Sequence, residues 1–376
     1  MPQYTYEHRH VTAFGVTVRV TETAPFPKSY WDRFDEAWAE LLVSLPDDDA
    51  PTVSMTPPPS GVADPDVWNP SSTLTLTTAR ITRAALEVVA GTDFLFHASA
   101  VAQPDGRVLG FVGPSGRGKS TAVMTLARKY GYVTDETLRF DYTGKITPYR
   151  KPVSILDRQS EPKYEMTPAE LDLLPLPNVP LQLAGIVLLN RLTPSNPEYE
   201  SFPKDGVEIV PVDLAEAISD LVPQTSSLHR MPRPLRPLLE LIASTGGLRS
   251  LRYREARNLE FHIEELLNFQ APAVELWDPV LSPVPSAPAP AGPLYERADF
   301  HDALGADGSL ILLRGEQVIV LAGLGPVVWE AASGASLEQL VSSITAAHGT
   351  PPGVDAAAAI SEVARDLAAS GILQTR

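Results

Sequence analysis

The sequence contains no cysteine, which excludes disulfide bonds, thiolate zinc sites and cysteine nucleophiles. It also lacks any apolar run close to the ~20 residues that a membrane-spanning helix needs. Its start, MPQYTYEHRH, has no charged segment that leads into an apolar stretch, as a secretory signal would have. These absences predict a cytoplasmic protein that does not bind a membrane.

Positive charge is scarce, because 30 Lys and Arg residues face 46 Asp and Glu residues and leave a net charge of -16. A surface this acidic repels the phosphates of nucleic acids, so we expect no general nucleic-acid binding. A small basic pocket for ATP is compatible with this charge. The 376 residues favour two or more domains, and the hydrophobic fraction of 44% is sufficient for ordinary globular cores.

Proline clusters and changes of pattern divide the chain. Residues 271–293 contain seven prolines and no periodicity, which is typical of a stiff, extended linker. We predict an N-terminal segment over 1–90 that packs on the core, a P-loop domain over 91–270, this linker, and a small C-terminal domain over 294–376.

Strand-like and helix-like runs alternate in the second of these parts. Phe94–Ala102 and Val108–Val112 flank the turn Pro104-Asp105-Gly106, which indicates a hairpin. A helix is predicted from about Lys119 to Tyr130, and Leu183–Leu189 has the pattern of a buried strand. This alternation predicts a mixed α/β core with helices on the faces of its sheet.

The C-terminal part has a different pattern. Ser309–Leu313 and Val318–Leu321 predict a second hairpin. Three helices should follow, one around Trp329, one opened by Ser336 and one capped by Asp355. Two or three strands and three helices in so short a segment predict a small winged-helix-like α+β domain.

The segment from Gly113 to Ser120, GPSGRGKS, matches the P-loop pattern G-x-x-x-x-G-K-[ST] in full. Such a loop cradles phosphate oxygens with backbone N–H groups, and the helix after it adds its positive end. Lys119 would reach the β- and γ-phosphates and Ser120 would hold Mg²⁺. The alternative is a glycine-rich turn without a nucleotide. The predicted cofactors are ATP and Mg²⁺, and the predicted nucleotide-binding residues are Gly113, Pro114, Ser115, Gly116, Arg117, Gly118, Lys119, Ser120 and Thr121.

An acidic pair, Asp135-Glu136, follows Lys119 by sixteen residues, on the far side of one predicted helix. One carboxylate would accept a proton from an attacking hydroxyl, and the other would help to hold Mg²⁺. A solvated acidic turn fits the spacing equally well. His97 approaches the loop if its strand pairs with the P-loop strand, although a lone histidine among apolar neighbours is more often a core residue.

Two basic groups offer further candidates for binding a phosphate or an acidic substrate. They are Arg150-Lys151 and the set Arg230, Arg233 and Arg236. Clusters of this kind are more often solvated faces of a protein.

The segment FHASAVAQPDGRVLGFVGPSGRGKSTAVMTLARKYGYVTDETLRFD resembles the catalytic core of HPr kinase and its relatives. The shared order is a histidine, a hairpin, the P-loop, a helix, a Gly-Tyr step and an acidic pair. Pro148–Pro152 resembles the HPr-kinase-like proteins of peptide-modification gene clusters. The resemblance is strong from Leu95 to Asp141 and looser to about Leu267. It implies an α/β P-loop kinase core of the HPr kinase type.

This resemblance also implies roles for individual residues. Asp135 would be the catalytic base with His97 as its neighbour, Lys119 would bind the phosphates, and Ser120 and Glu136 would surround Mg²⁺. The usual Asp-Asp pair is Asp-Glu here. We find no equivalent of the family's later metal-binding glutamate or of its HPr-docking and phosphorolysis segment, so HPr is not the expected substrate.

The tail from Ala298 to Leu373 resembles the PqqD family. The similarities are a short hairpin, the run Gly325–Trp329, an acid-capped helix and the closing Ser370–Leu373. That family recognises precursor peptides of ribosomally made natural products, and it binds their leader as an added strand beside the last helix. A helical dimerisation tail is the alternative.

Together these features predict an ATP-dependent kinase that phosphorylates a Ser or Thr hydroxyl of a precursor peptide, with the leader held by residues 294–376. Tethering the leader raises the local concentration of the substrate. Two alternatives remain, a kinase of a small hydroxyl compound and a non-catalytic nucleotide-gated peptide adaptor; the acidic pair argues against the adaptor. The sequence leaves open whether the protein forms a homo-oligomer.

Overall fold

The computed structural model describes residues 7–44, 49–56, 70–155, 164–282, 292–350, 352–353 and 355–376. The chain has a mixed α/β fold and divides into two compact units. The first comprises Met1–Pro211, Gln224–Met231 and Ser244–Ala271, and the second comprises Val212–Pro223, Pro232–Ala243 and Pro272–Arg376. Two segments inside the predicted P-loop domain, 91–270, thus belong to the second unit.

The first unit begins with a small sheet and two helices. Its elements are β1 (His8–Ala13), β2 (Val16–Glu22), α1 (Lys28–Ala37), β3 (Thr52–Met55) and α2 (Pro70–Val89). β2 pairs antiparallel with β1 and parallel with β3. Aromatic residues such as Phe14, Trp31 and Tyr149 share one buried core. Thr82 of α2 and Tyr149 are joined by a hydrogen bond of 2.8 Å, so this N-terminal part packs on the residues that follow the glycine-rich loop.

The chain continues with the elements that carry the glycine-rich loop. They are β4 (Phe94–Phe96), β5 (Ala98–Ala102), β6 (Arg107–Val112), α3 (Lys119–Leu126), β7 (Gly131–Thr134), β8 (Leu138–Phe140), β9 (Ile146–Thr147), β10 (Val153–Ile155), β11 (Tyr164–Met166), β12 (Gln182–Arg191) and β13 (Val207–Pro211). Next come α4 (Leu214–Leu221), α5 (Leu235–Ser244), β14 (Arg249–Tyr253) and α6 (Ile263–Leu267). The predicted helix after the loop is therefore shorter than expected and ends at Leu126.

The main sheet of the first unit has six strands in the order β13-β14-β12-β6-β5-β7. β6, β12 and β14 run parallel to one another. β5 is antiparallel to both of its neighbours, so β7 runs in the same direction as β6. Apolar residues of α3 and α6 pack in one core with residues of this sheet. The carboxyl ends of β6, β7, β12 and β14 meet at one edge, which we call the carboxyl edge.

The predicted hairpin before the loop is confirmed by the pairing of β5 with β6, from Ala98 opposite Val112 to Ala102 opposite Val108. The predicted strand over 94–102 is, however, interrupted at His97. The part before it, β4, pairs with β8 in a separate three-stranded sheet. The break occurs because the His97 N–H donates to the carbonyl oxygen of Gln224 at 2.7 Å instead of to a neighbouring strand.

The second unit contains α4, most of α5 and the elements after residue 271. These are β15 (Leu276–Trp277), β16 (Leu294–Arg297), β17 (Asp302–Ala306), β18 (Ser309–Arg314), β19 (Gln317–Leu321), α7 (Gly325–Ala331), β20 (Ser333–Ser336), α8 (Leu337–His348), α9 (Ala356–Ala369) and β21 (Leu373–Thr375). Its sheets have the orders β15-β17-β18-β19 and β20-β16-β21. The predicted second hairpin is confirmed as β18 and β19. Ser336 and Asp355 cap α8 and α9, as their sequence positions indicate.

The prediction of a stiff linker over 271–293 is wrong for its first part. Leu276–Trp277 forms β15, which pairs antiparallel with Gly305 and Ala306 of β17. The ring of Trp277 occupies the space where a Cβ atom on Gly305 would lie, so the close contact depends on that glycine. Residues 283–291 lie outside the described ranges. Within those ranges, no helix combines the length and the apolar character needed to cross a membrane.

Candidate active site

The glycine-rich loop, residues 113–118, joins the carboxyl end of β6 to the amino end of α3. Gly116 and Gly118 have φ values of +83° and +90°, a region that favours glycine. α3 begins directly after Gly118 and directs the N–H groups of its first turn towards the carboxyl edge. This arrangement is that of a phosphate cradle. Its exposed members are Pro114, Ser115, Gly116, Arg117, Ser120 and Thr121.

Tyr253, at the end of β14, restricts position 118 to glycine. Its hydroxyl donates a hydrogen bond of 3.2 Å to the carbonyl oxygen of Arg117. A Cβ atom on Gly118 would lie 2.8 Å from the same hydroxyl oxygen, closer than Cβ atoms approach. Burial raises the pKa of Tyr253 to about 12, so its hydroxyl remains a neutral donor at physiological pH. Tyr253 therefore fixes the second half of the loop.

Lys119 folds back over the loop. Its Nζ donates to the carbonyl oxygens of Gly113 at 2.5 Å and Pro114 at 3.4 Å. Partial burial lowers the pKa of the Lys119 ammonium. Ser99 of β5 donates a hydrogen bond of 3.1 Å to the carbonyl oxygen of Lys119 and so anchors the first turn of α3 to the sheet. The ammonium group thus lies over the start of the loop, at Gly113 and Pro114.

The acidic pair follows β7 directly. Thr134, the last residue of β7, accepts the backbone N–H groups of Glu136 and Thr137 on its Oγ1, each at 3.3 Å. This turn separates the two carboxylates: the Asp135 side chain is only 10% exposed, whereas that of Glu136 is 49% exposed. The two acids therefore have different environments, since Asp135 is nearly buried and Glu136 is open to solvent.

Lys151 lies between the two acids. Its Nζ is 3.2 Å from Oδ1 of Asp135 and 3.2 Å from Oε2 of Glu136, and its side chain is 3% exposed. Burial opposes the charge of Lys151, but the two carboxylates outweigh it and raise the pKa of the ammonium well above its ordinary value. The sequence suggested Lys151 as a free cation for phosphate or as part of a solvated face. The structure instead commits it to the acidic pair.

Tyr132 also contacts Asp135, because its hydroxyl donates a hydrogen bond of 2.9 Å to Oδ1. Burial, followed by the charge of Asp135, raises the pKa of Tyr132 well above its ordinary value, so the phenol remains a donor. Lys151 and Tyr132 thus both contact Oδ1 of Asp135. Its other oxygen, Oδ2, receives no hydrogen bond from the residues that the structure describes, and it is the oxygen that can accept a proton from a substrate.

His97 is exposed, so it is not a core residue. Its Nε2 lies 3.2 Å from Oγ of Ser226. Because Ala98 is opposite Val112 and Ala100 is opposite Thr134, the three residues just beyond these pairs, His97, Gly113 and Asp135, lie at the same end of the sheet. The structure therefore brings the predicted histidine, loop and acid to one edge.

The sequence predicts that Ser120 and Glu136 hold Mg²⁺. Both lie at the carboxyl edge, Ser120 in the first turn of α3 and Glu136 after β7. In the described ranges, no group of three or more His, Asp or Glu side chains is arranged around a metal. A Mg²⁺ ion that binds with nucleotide phosphates needs only one or two protein oxygens. One hydroxyl and one half-exposed carboxylate fit such an ion.

The remaining predicted basic residues have other partners. Arg150 forms an ion pair with Glu40 at 2.7 Å and donates to two backbone carbonyl groups. Arg230 belongs to the first unit, whereas Arg233 and Arg236 belong to the second, where both pair with an aspartate. Each of these arginines has an acidic partner within its own unit.

Sequence reasoning missed three residues of this site, Tyr132, Arg191 and Tyr253. Each lies in or at the end of a strand of the main sheet. Only their positions in or directly after predicted strands could have indicated them. Polar side chains at the carboxyl ends of parallel strands collect at one edge of the sheet. The order of the strands, which local patterns do not reveal, decides which of them meet.

β19 is a terminal strand in the sheet of the second unit that contains β17 and β18. β17 is covered on its outer side by β15, whereas β19 is the last strand of the same sheet in the described ranges. Val318, Ile319 and Val320 of β19 are half-buried. α4 lies against β18 and β19, and α9 packs on α7, α8 and β21. Among the described residues, no strand pairs with the outer side of β19.

Comparison with known proteins gives no family assignment. No protein-family model matches the chain, and no curated protein matches its sequence.

Proposed function

We propose that this protein is an ATP-dependent kinase of the HPr kinase type that phosphorylates a Ser or Thr hydroxyl of a ribosomal precursor peptide in natural-product biosynthesis. The observation that carries the proposal is the meeting of the glycine-rich loop, Asp135 and His97 at one edge of the main sheet. A phosphate cradle beside a carboxylate with a free oxygen is the minimum that phosphoryl transfer to a hydroxyl needs.

In the proposed reaction the loop and Lys119 hold the β- and γ-phosphates of ATP. Asp135 orients the acceptor hydroxyl and takes its proton on Oδ2. The hydroxyl oxygen forms a bond to the γ-phosphorus, and the bond from that phosphorus to the β,γ-bridging oxygen breaks, which releases ADP. Mg²⁺ held by Ser120 and Glu136 would neutralise negative charge on the phosphates. His97 lies at the same end of the sheet as Asp135 and the loop, and in this proposal it would contact the acceptor.

In this proposal Lys151 and Tyr132 position the carboxylate of Asp135. Both bind Oδ1, which fixes the carboxylate and leaves Oδ2 directed away from them. A base held in this way loses little orientational freedom when the acceptor binds. The burial of Lys151 makes the arrangement rigid, since its ammonium group has two carboxylate partners within 3.2 Å.

The second unit would supply substrate recognition as a winged-helix-like domain of the PqqD type. The open edge of β19 supports this part of the proposal, because a leader peptide can pair there as an additional strand. The half-buried valines and isoleucine of β19 would contact alternate side chains of the leader. Binding the leader in this way raises the concentration of the acceptor at Asp135. The reaction would take place in the cytoplasm, where ATP is available.

The proposal is tested by incubating the full-length protein with ATP, Mg²⁺ and a precursor peptide encoded near its gene. We expect the peptide to gain the mass of one phosphoryl group, and fragmentation should place that group on a Ser or Thr. Peptide binding and ATP binding without transfer would contradict the kinase and favour a nucleotide-gated adaptor. Transfer to a small hydroxyl compound but to no peptide would contradict the substrate class alone.

A further inference from the structure

The carboxyl edge has two chemically different sides. The strand order places β5 and β7, with His97 and Asp135, on one side of β6, and β12 and β14 on the other. In the proposed reaction the γ-phosphate lies near Asp135. Since the triphosphate runs across the loop, the nucleoside must extend towards β12 and β14.

Arg191, the last residue of β12, lies on this second side. It is opposite Tyr253 in the register of β12 and β14, and the Tyr253 hydroxyl contacts the loop. Its Cδ would be 3.3 Å from a Cβ atom placed on Gly118. The positive charge of Arg191 also acts on the Tyr253 hydroxyl. The guanidinium is therefore beside the end of the phosphate cradle.

The Arg191 side chain is half-buried, yet it makes no ion pair or hydrogen bond within the part of the chain that the structure describes. Arg252, on the neighbouring strand, differs in this respect because it pairs with Glu208 at 3.0 Å. A guanidinium offers five N–H donors in one plane, which match a phosphate, and its face stacks on flat rings. An unpaired guanidinium beside a phosphate cradle suits a ligand that is both anionic and planar.

We propose that Arg191 binds the nucleoside monophosphate part of ATP, that is, its α-phosphate and its purine ring. This inference rests on the proposed function and adds the direction in which the nucleotide lies on the sheet. It makes Arg191 the residue by which the site distinguishes a nucleotide from inorganic pyrophosphate. Lys119, in contrast, binds the phosphates that both kinds of ligand share.

The test compares ATP with inorganic pyrophosphate, which supplies only two phosphates, for the β- and γ-positions, each titrated calorimetrically into the full-length protein. Arg191→Met should weaken ATP binding by about tenfold or more and change pyrophosphate binding by less than about twofold. Lys119→Ala should weaken both ligands. Arg252→Met is the matched control, because it removes one positive charge from the adjacent strand, and it should change neither affinity. Arg191→Gln should repeat the Arg191→Met result if the methionine variant has a lower melting temperature.

Equal weakening of ATP and pyrophosphate by Arg191→Met would overturn the inference, because Arg191 would then act on the shared β- and γ-phosphates or on the loop itself. Unchanged ATP affinity would also overturn it. These results differ from a failure of the proposed function, which would appear as unchanged affinity for both ligands in Lys119→Ala.

Discussion

The ammonium group of Lys151 lies 3.2 Å from Oδ1 of Asp135, and both side chains are almost completely buried. Glu136 pairs with the same ammonium group from a more exposed position. One buried cation thus balances two adjacent acids at the end of β7. Removing one member of such a group leaves an uncompensated buried charge, which is far more costly than losing a surface ion pair.

Lys151→Met should therefore lower the free energy of unfolding by about 3–5 kcal/mol. Urea denaturation followed by circular dichroism measures this change. Lys204→Met is the control, because Lys204 is exposed, and its effect should stay within about 0.5 kcal/mol. A Lys151 variant as stable as the Lys204 variant would show that the ion pairs contribute no net stability.

Glu165 predicts a pH dependence of stability. Its Oε1 accepts a hydrogen bond of 2.7 Å from Ser154, whereas Oε2 has no partner among the described residues. Burial raises the pKa of Glu165 above its ordinary value of 4.5. The stability that this group contributes is therefore fully present below pH 4.5 and is lost as the pH rises through the higher pKa of the folded state.

Glu165→Gln should remove this loss. The free energy of unfolding of the variant should fall less between pH 4.5 and about pH 7 than that of the parent protein. Urea titrations across this range provide the measurement, with the exposed Glu200→Gln as the control. Parallel stability curves for the parent protein and Glu165→Gln would contradict the prediction.

Lys119→Ala should weaken ATP binding by about ten- to hundredfold, because it removes a charge-assisted contact worth roughly 1.5–3 kcal/mol. Titration calorimetry measures the affinity. Because the Lys119 ammonium donates its hydrogen bonds to two carbonyl groups of the loop itself, the melting temperature of the Lys119→Ala variant without ATP should differ little from that of the parent protein. An unaltered ATP affinity would show that the glycine-rich loop is not the nucleotide site.

The open edge of β19 makes a prediction for hydrogen exchange. If a leader peptide pairs there, the amides of Gln317–Leu321 should exchange more slowly when the leader is added. Those of Leu276–Trp277, at the opposite edge of the same sheet, should be unaffected. Exchange followed by mass spectrometry distinguishes the two segments. Protection of the β15 segment alone, or of neither, would contradict strand addition at β19.

The local features of the site could be predicted from the sequence. The glycine spacing from Gly113 to Gly118 predicts a loop, because Gly116 and Gly118 have positive φ angles that favour glycine and Tyr253 leaves no room for a Cβ atom at Gly118. The hairpin of β5 and β6 was also predictable, since its turn residues are local. The ion pairs of Lys151 with Asp135 and Glu136 were not predictable, because the chain turns through β8 and β9 before these residues become neighbours.

The boundary of the second unit was not predictable from composition. The proline-rich stretch after residue 271 has the composition of a free linker, yet Trp277 packs on Gly305 and β15 completes a sheet. α4 lies against β18 and β19, although it comes before residue 271. Both contacts join residues that are far apart in the sequence, so local sequence patterns do not predict them. A fragment that starts at residue 294 would lack these elements.

The central claim, that Asp135 is the base of a phosphoryl transfer, is tested most directly by Asp135→Asn. The measurement is the rate of phosphoryl transfer from saturating ATP to the precursor peptide, beside the ATP affinity of the same variant. The substitution keeps the shape of the side chain, so ATP affinity should remain within about twofold while transfer falls by about 10²–10⁴. Transfer by Asp135→Asn at the rate of the parent protein would contradict the claim.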